Sequence, residues 1–600
     1  MKPKDLKAFY SQLQQEQQTA FNKAKTNIFR ISSLRLLVFF GGIISIYLLF
    51  DANSDYSIFI AFGFLILFLA LVKIHSRFFL RKRLIENKLR IAKEELRALE
   101  GNYSAFKDGS RYTHRSKAYA FDMDIFGPDS LYQKINRTIS MGGAGMLAHW
   151  FNFSEQNTDI IKQKQLAVKE LSDADELRLN FRAEGLMVEE EKGEYRSLIA
   201  WLKEKDLFYG KPIFQVVIWL ASVINVSGLF LYFTNLYPAS CLGASLFSTL
   251  IFVGFWQKKI HKLHMNVGSK VKLLSKYAKL FTLVEQADFQ TDYLKDIQKD
   301  LGDGKQMVSL KIKHLSKVLS ALDTRLNVFA GIVLNAIFLW DIIQVTRLEK
   351  WKHENQDQMK TWFTALGKFD ALLSLSTMNF NHPQWVMPEI SERDFELEAE
   401  DLKHPLMADA DCVGNDIRLP ERPHIKVITG ANMAGKSTFL RSLGTNMLLA
   451  MMGAPVSAKF FRINPIEIIS SIRTKDSLIK NESYFYAEIK RLEVIIRRLQ
   501  KGDRLFVFLD EILKGTNSKD KELGSKALLK QLVELKAVGV IATHDLNLGV
   551  ISQDFKSHVE NICFEVEIRD GGLHFDYKIR PGIAQNLSAT YLMKEMGITL

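Results

Sequence analysis

The feature that most restricts how this chain can fold is a glycine-rich loop at residues 430–437. The loop follows an apolar run, His424–Thr429, and leads into helix-forming residues from Thr438 onward. A strand that enters a GxxxxGK[ST] loop and continues as a helix directs its backbone N–H groups toward phosphate. The pattern therefore predicts a strand, a phosphate-binding loop and a helix within an α/β domain. The alternative is a glycine-rich turn that carries an unrelated lysine.

The lysine and the hydroxyl residue of such a loop have separate tasks. Lys436 reaches the β- and γ-phosphates and is a predicted catalytic residue, while Ser437 holds Mg²⁺. We therefore predict ATP and Mg²⁺ as cofactors. The residues predicted to contact the nucleotide are Gly430, Ala431, Asn432, Met433, Ala434, Gly435, Lys436, Ser437 and Thr438.

Two apolar runs further along the chain end in polar groups that suit hydrolysis. Leu505–Leu509 is followed by Asp510 and Glu511, and the run at 538–542 leads to His544. Asp510 is placed to bind Mg²⁺, and Glu511 is placed to activate the attacking water as a general base. The histidine is predicted to contact the γ-phosphate or to position the water. Taken singly, each of these strand ends also has a structural interpretation: the acids would be solvent-exposed, and the histidine would only support the fold.

The distribution of helix- and strand-forming runs divides the chain into three parts. We predict a basic N-terminal part (1–101), a helical part (102–400) and an α/β ATPase domain (401–600). After residue 401 short β-rich runs alternate with helices, which is typical of a parallel sheet with helices on both faces. Near the end, Asp570-Gly-Gly lies between two β-rich runs and predicts a hairpin.

Two pairs of apolar runs predict transmembrane helical hairpins. The first pair lies within about residues 36–72 and the second within about residues 213–256. Each run of the second pair reaches the length of about 20 residues that crosses a bilayer as a helix. Cations flank both pairs and are missing from the connecting loops, so both termini and the ATPase domain are predicted to lie in the cytoplasm. We expect a multi-pass protein of the cytoplasmic (inner) membrane; buried core helices are the alternative.

Two further segments accompany these pairs. Residues 74–100 combine many charges with an apolar stripe, which predicts an amphipathic helix that leaves the membrane. A fifth apolar run, Val328–Trp340, is short and ends at Asp341, so we expect a buried helix of a soluble domain.

The net charge of +13 suits an anionic partner, either nucleic acid or a lipid surface. A basic stretch after the second apolar pair could contact DNA phosphates or anionic lipid, and its position favours lipid. Its cations are Lys258, Lys259, Lys262, Lys270, Lys272, Lys276 and Lys279. The 3 cysteines show no metal-binding spacing and indicate a reducing compartment.

Taken together, these motifs resemble those of the MutS family of DNA mismatch repair ATPases. Residues 429–441 resemble that family's phosphate-binding loop, and Phe508–Ser518 resembles its segment with the paired acids. Glu482–Ile489 resembles its signature segment, and residues 542–546 match its strand that ends in histidine. The Asn-Met dipeptide at 432–433 is the most specific sign, because ABC transporters usually have glycine at the second position. The resemblance covers roughly residues 115–200 and 310–600.

The resemblance implies a fold and a set of partners. The fold is an ABC/MutS-like P-loop ATPase domain, preceded by an all-α core and lever domain that the second transmembrane hairpin interrupts. The implied assembly is a homodimer in which Ser483 faces the nucleotide of the partner subunit. DNA is an implied partner, and the two hairpins add membrane lipid.

The chain departs from the family pattern in three places. Its N-terminus is a basic helix and an apolar pair, so nothing supports mismatch reading. The second apolar pair and the basic stretch lie where a DNA clamp is expected, which leaves the encircling of DNA unsupported. Cys412 stands where relatives often have an aromatic residue that stacks on adenine, so stacking is weaker or comes from elsewhere.

The sequence therefore predicts a membrane-anchored MutS-like ATPase with a composite dimer site. Its ATP cycle is expected to be coupled to DNA binding in mismatch repair or recombination. The alternative is an ATP-driven membrane machine, for transport or remodelling, that has no DNA substrate.

Overall fold

A computed structural model of the chain describes residues 3–51, 57–190, 193–267, 270–302, 307–473, 484–513, 518–551, 555, 557–569 and 572–585. A helix-rich N-terminal region is followed by a C-terminal α/β domain with two mixed sheets.

The helices of the N-terminal region are α1 (Pro3–Asp51), α2 (Ser57–Leu99), α3 (Ala118–Asp122), α4 (Leu131–Ile135), α5 (Met141–Asn152), α6 (Thr158–Asp173), α7 (Asp175–Gly185), α8 (Glu194–Leu202), α9 (Pro212–Phe233), α10 (Ala239–Val267), α11 (Val271–Glu285), α12 (Asp292–Asp300), α13 (Val308–Asp323), α14 (Val328–Phe338) and α15 (Trp340–Asn381).

The elements of the C-terminal domain are β1 (Glu389–Ile390), β2 (Leu397–Leu402), β3 (Asn415–Leu419), β4 (His424–Gly430), α16 (Lys436–Met451), β5 (Phe460–Ile463), β6 (Glu467–Ser471), α17 (Tyr484–Gln500), β7 (Leu505–Asp510), α18 (Ser518–Glu534), β8 (Val538–Thr543), α19 (Leu546–Ile551), β9 (Val559–Arg569) and β10 (Gly572–Pro581).

Helices α1 and α2 form a long antiparallel pair with two different surroundings. Far from their connection, Leu6 and Tyr10 of α1 and Ile91 of α2 are buried against the helical core. Toward the connection, large apolar side chains such as Leu37 and Phe59 are exposed. The amphipathic segment expected at 74–100 belongs to α2 and continues its apolar part without a break. One pair of helices therefore packs on the protein at one end and presents an apolar surface at the other.

Within the described residues, four helices are long and apolar enough to cross a membrane, namely α1, α2, α9 and α10. Helices α9 and α10 contain 22 and 29 residues, and large side chains such as Trp219, Phe230 and Phe247 are exposed on them. A water-soluble core would cover such side chains. The buried-core alternative therefore does not describe these helices.

The expectation that the fifth apolar run is a buried helix is wrong. Helix α14 packs on α9 and α10, and its Ala336 carbonyl oxygen accepts hydrogen bonds from Asn225 and Thr249. Its opposite face is open, and Phe329 is 83% exposed. Apart from Asn335 the helix is apolar all round, so its hydropathy pattern does not indicate which face is covered.

The long helix α15 forms the spine of the helical region and carries 42 residues. Its middle part contributes Phe369 and Leu372 to the core, where they pack beside α5 and α6. Asp370 is fully buried there and accepts hydrogen bonds from Ser140 Oγ at 2.6 Å and from the Ile139 N–H at 3.2 Å. Burial raises the pKa of Asp370 to about 6, although these hydrogen bonds favour the carboxylate.

A buried ionic cluster joins the far ends of α1, α2 and α15. Glu95 of α2 receives Arg137 Nε at 2.7 Å and Arg182 Nη1 at 2.6 Å. Asn381 donates to the same carboxylate at 2.9 Å and accepts from the Tyr10 hydroxyl at 2.8 Å. Burial opposes the charge of Glu95, but the two guanidinium groups outweigh it and lower its pKa to about 2. The carboxylate therefore stays ionised and holds three helices together.

The C-terminal domain contains a six-stranded sheet in the order β10-β9-β4-β8-β7-β6 and a four-stranded sheet in the order β1-β5-β2-β3. In the six-stranded sheet only β10 is antiparallel to its neighbour. The register aligns Thr429 with Thr543 and Asp510 with Ala542. The carboxyl ends of β4, β7 and β8 therefore meet at one edge, where open α/β sheets bind ligands. The four-stranded sheet was not anticipated, and the tip of the predicted β9–β10 hairpin lies outside the described residues.

We predict that Glu95→Ala lowers the free energy of unfolding by about 3–5 kcal/mol, because it leaves Arg137 and Arg182 buried without their carboxylate. Glu100→Ala is the matched control, since the pair that Glu100 forms with Lys7 is exposed and is worth at most about 1 kcal/mol. Urea unfolding of the two variants in the same lipid or detergent would show the difference. Equal losses would contradict a role for the buried cluster.

Candidate functional site

The glycine loop at 430–437 leaves β4 and becomes the first turn of α16. Gly435 directly precedes the helix with φ 106°, and Met433 has φ 68°. Gly430 lies against β9, where a Cβ atom would come within 2.8 Å of the Phe564 carbonyl oxygen. Both glycines are thus required by the backbone, Gly435 by its dihedral angle and Gly430 by the close approach. The loop is held tightly between the sheet and the helix.

Lys436 is folded into the concave side of this loop. Its ammonium group donates to the carbonyl oxygens of Gly430 at 2.7 Å and Ala431 at 2.8 Å, and the residue is buried. A cation in this position, beside the N-terminus of α16, creates a strongly electropositive pocket. The arrangement suits the binding of phosphate groups.

Ser437, at the end of the loop after β4, and Asp510, at the end of β7, meet at the same edge of the sheet, where β8 lies between the two strands. The Ser437 hydroxyl donates to Asp510 Oδ2 at 2.5 Å. A hydroxyl and a single carboxylate are the oxygen ligands that Mg²⁺ takes in nucleotide sites, where phosphates and waters supply the rest. The pair therefore fits the predicted metal. Within the described residues no cluster of three or more His, Cys, Asp or Glu side chains forms another metal site.

Glu511 and His544 lie beside this pair at the ends of β7 and β8. The Glu511 backbone has φ 54°, and its N–H donates to the Ala542 carbonyl oxygen at 2.8 Å. A non-glycine residue with positive φ is costly and often marks a functional position. The Glu511 carboxylate lies 3.6 Å from Nδ1 of His544, and both side chains are partly open to solvent. A partly exposed carboxylate with a histidine neighbour can accept a proton from a bound water molecule.

A cavity of about 470 Å³ opens in front of the loop. Most predicted nucleotide contacts line it, together with residues of β9, β10 and the segment before β3. The lining includes Ala431, Asn432, Met433, Gly435, Lys436, Ser437, Thr438, Glu511, Cys412, Phe564 and Tyr577. Gly430, Ala434, Asp510 and His544 lie outside the lining, although the last two contact it through Ser437 and Glu511. Ser483 lies outside the described residues, so its predicted role stays a prediction.

Tyr577 is the residue of this cavity that sequence reasoning missed. It has φ 56° and stacks on Phe575 with ring centroids 6.0 Å apart. It lines the same cavity as Cys412, the position where an aromatic residue was expected and is lacking. A hairpin at this place was predicted, but no spacing in the sequence connects its second strand to the glycine loop. The fold thus supplies an aromatic face from β10.

Comparison with known proteins gives a family for the C-terminal part. Residues 426–597 match the family described as MutS domain V. DNA mismatch repair protein MutS of Aquifex pyrophilus is 34% identical over 239 residues, which is 39% of this chain and 27% of the relative. The MutS protein of Ehrlichia ruminantium (strain Gardel) is 27% identical over 308 residues, which is 50% of this chain and 36% of the relative.

A eukaryotic relative gives the same result. DNA mismatch repair protein MSH4 of Arabidopsis thaliana is 29% identical over 229 residues, covering 36% of this chain and 28% of the relative. The chain thus spans little more than a third, at most, of the length of these curated relatives. The matches confirm the resemblance that the motifs indicated, over the part of the chain that carries the site.

We predict that Tyr577→Ala weakens nucleotide binding about 5- to 150-fold, because stacking of a base on an aromatic ring is worth about 1–3 kcal/mol. Tyr577→Phe should retain most of the affinity. His574→Ala serves as the matched control, since this residue is exposed on the same strand and does not line the cavity. Titration with a fluorescent ATP analogue measures the dissociation constants. Equal affinity in wild type and Tyr577→Ala would show that the base does not lie on this ring.

Proposed function

We propose, on the premise that residues 426–597 belong to the MutS family, that this chain binds and hydrolyses ATP with Mg²⁺. The observation that carries the proposal is the convergence of three elements at one sheet edge. These elements are the glycine loop with Lys436, the Ser437–Asp510 pair, and Glu511 beside His544. Their geometry is that of a phosphate cradle, a metal site and a base within one cavity.

Each residue has a defined task in this reaction. The loop N–H groups and Lys436 bind and orient the phosphates, and Ser437 and Asp510 are the residues that would hold Mg²⁺. When bound, the ion would supply positive charge beside the phosphate oxygens. Glu511 accepts the proton of the attacking water. His544, 3.6 Å from Glu511, orients that carboxylate and the water.

A composite site between two copies of the chain is part of the proposal. From the MutS resemblance, Ser483 is expected to face the nucleotide of the partner subunit. The glycine loop faces an open cavity, and the exposed Met433 stands at its rim. A second α/β domain that closes over this rim would exclude water from the phosphates, which strengthens every charge interaction there.

Membrane anchoring through the two apolar hairpins is the second part of the proposal. It is supported by four helices of sufficient length and hydropathy and by their uncovered apolar side chains. Exposed cations follow each hairpin, for example Arg81 after the first and Lys258 and Lys259 after the second. Cations at this position bind anionic headgroups. They orient each hairpin so that its connecting loop lies across the membrane and its two other helix ends face the cytoplasm. The ATPase domain then lies on the cytoplasmic side.

The structure divides the basic stretch at 257–279 into two halves. Lys276 is buried and donates to two backbone carbonyl oxygens, while Lys270 and Lys279 pair with glutamates. Lys258, Lys259 and Lys262, which adjoin the apolar part of α10, are exposed, and Lys272 and Lys279 are exposed further along. Exposed cations are therefore more numerous beside the hairpin than beyond it. This distribution supports the lipid interpretation over a continuous track for DNA.

DNA is a second candidate partner, because the relatives carry the name DNA mismatch repair protein. We expect duplex or branched DNA to raise the ATPase rate of the purified chain if DNA is its substrate, and the effect should fall steeply with salt. Mismatched and fully paired duplexes are compared in the same assay. An ATPase rate that is the same with and without each of these DNAs would favour the alternative, an ATP-driven membrane machine that has no DNA substrate.

We predict that Lys436→Ala and Glu511→Gln both reduce ATP turnover by about 100-fold or more, but for different reasons. Lys436→Ala removes a phosphate contact and should also weaken ATP binding. Glu511→Gln removes only the base and should keep ATP bound. Lys501→Ala, on an exposed residue after α17, is the control. Phosphate release and nucleotide retention, measured on the same samples, check both expectations; unchanged turnover in either variant would contradict the assigned site.

A further inference from the structure

Helix α14 is an apolar segment that the ATPase mechanism does not use. It contains no charged residue and connects α13 to the spine helix α15. Its open face carries Val328, Phe329, Ile332 and Val333, and these four side chains and that of Leu326, just before the helix, are exposed. A row of large apolar side chains on one face requires a cover.

The opposite face of α14 is bound to the second hairpin by hydrogen bonds from polar side chains of α9 and α10. The Ala336 carbonyl oxygen accepts from Asn225 Nδ2 at 2.9 Å and from Thr249 Oγ1 at 2.5 Å. Ser245 Oγ donates in turn to Asn225 Oδ1 at 2.7 Å. The last carbonyl groups of a helix have no partner within the helix. The apolar helices α9 and α10 thus carry polar side chains near the C-terminal end of α14, and these side chains donate hydrogen bonds to its Ala336 carbonyl oxygen.

The position of this contact along α10 gives its depth. Thr249 precedes Lys258, the first cation after the apolar part of α10, by nine residues of continuous helix. At 1.5 Å per residue this separation is about 14 Å, close to half of the roughly 30 Å thickness of a hydrocarbon layer. The end of α14 therefore lies level with the middle of the apolar part of the hairpin.

The chain around α14 meets the requirements of a segment that enters and leaves an apolar layer. Helices α13 and α14 pass the length and hydropathy criteria of a span only as a pair, with a bend of 109° between them. At the break before α15, Leu339 has φ 53° and the Asp341 N–H donates to Asn335 Oδ1 at 2.9 Å. Arg325 lies 3.4 Å from the Asp341 carboxylate, and both side chains are buried. Irregular backbone is tolerated at membrane depth only when protein groups satisfy it in this way.

We propose that α14 is a re-entrant helix, inserted beside α9 and α10 with its open face against lipid acyl chains. Lipid is the occupant because this face continues the exposed apolar surface of the hairpin on which α14 packs. The spine helix α15 then begins within the membrane boundary. The inference rests on the proposed membrane insertion of the second hairpin, and it adds α14 to α9 and α10 as a third inserted helix.

Single cysteines in the full-length chain, reconstituted in lipid nanodiscs, test the proposal. The background carries Cys241→Ser, Cys412→Ser and Cys563→Ala. The test position is Phe329→Cys; Val223→Cys on α9 reports hairpin insertion, and Leu310→Cys on α13 reports water exposure. A hydrophilic maleimide should react at least about tenfold more slowly at 329 and 223 than at 310, because a thiol in an apolar layer stays protonated and is out of reach.

The outcomes separate this inference from the proposal on which it rests. Slow reaction at 223 with fast reaction at 329 would refute the re-entrant helix while leaving the hairpin inserted. Fast reaction at both positions would refute membrane insertion itself. A fluorophore attached at 329 should be quenched by lipids with spin-labelled acyl chains. A slow cysteine without such quenching would mean that protein covers α14, and the lipid assignment would be wrong.

Discussion

The parallel alignment of β4, β7 and β8 is the constraint on which the candidate site depends. Its register ends three strands at one edge, so that Ser437 and Asp510, 73 positions apart in the chain, meet at 2.5 Å. The same alignment turns Glu511 back toward β8 through a hydrogen bond to Ala542. The polar groups of the candidate site are therefore brought together by backbone pairing in the sheet.

Much of this edge could be predicted from the sequence, because each motif is local. A glycine loop, two acids after an apolar run and a histidine after another each define a strand end, and parallel strands gather their ends. Tyr577 and the four-stranded sheet could not be predicted, since both depend on pairing between distant segments. Helix α14 was misjudged for a related reason: hydropathy identifies an apolar helix, but only the packing of Asn225 and Thr249 on Ala336 shows which side is covered.

Two buried polar arrangements connect the helical region to its apolar hairpins. At one end of α15, α14 and its hydrogen bonds join the spine to α9 and α10. At the other end, Asn381 joins it to Glu95 and to Tyr10 of the first pair. Since buried polar groups are costly unless fully paired, both junctions fix one arrangement of helices. The spine is therefore joined by hydrogen bonds to one helical pair at each end.

The length of α2 has a geometric consequence. Asn87, which bonds this helix to the helical core through the Ala183 carbonyl oxygen, lies 15 positions beyond Val72, where its strongly apolar part ends. A continuous helix of that length measures about 22 Å. With the apolar part in a bilayer, as proposed, these turns of α2 would act as a spacer between the hydrocarbon layer and the helical core.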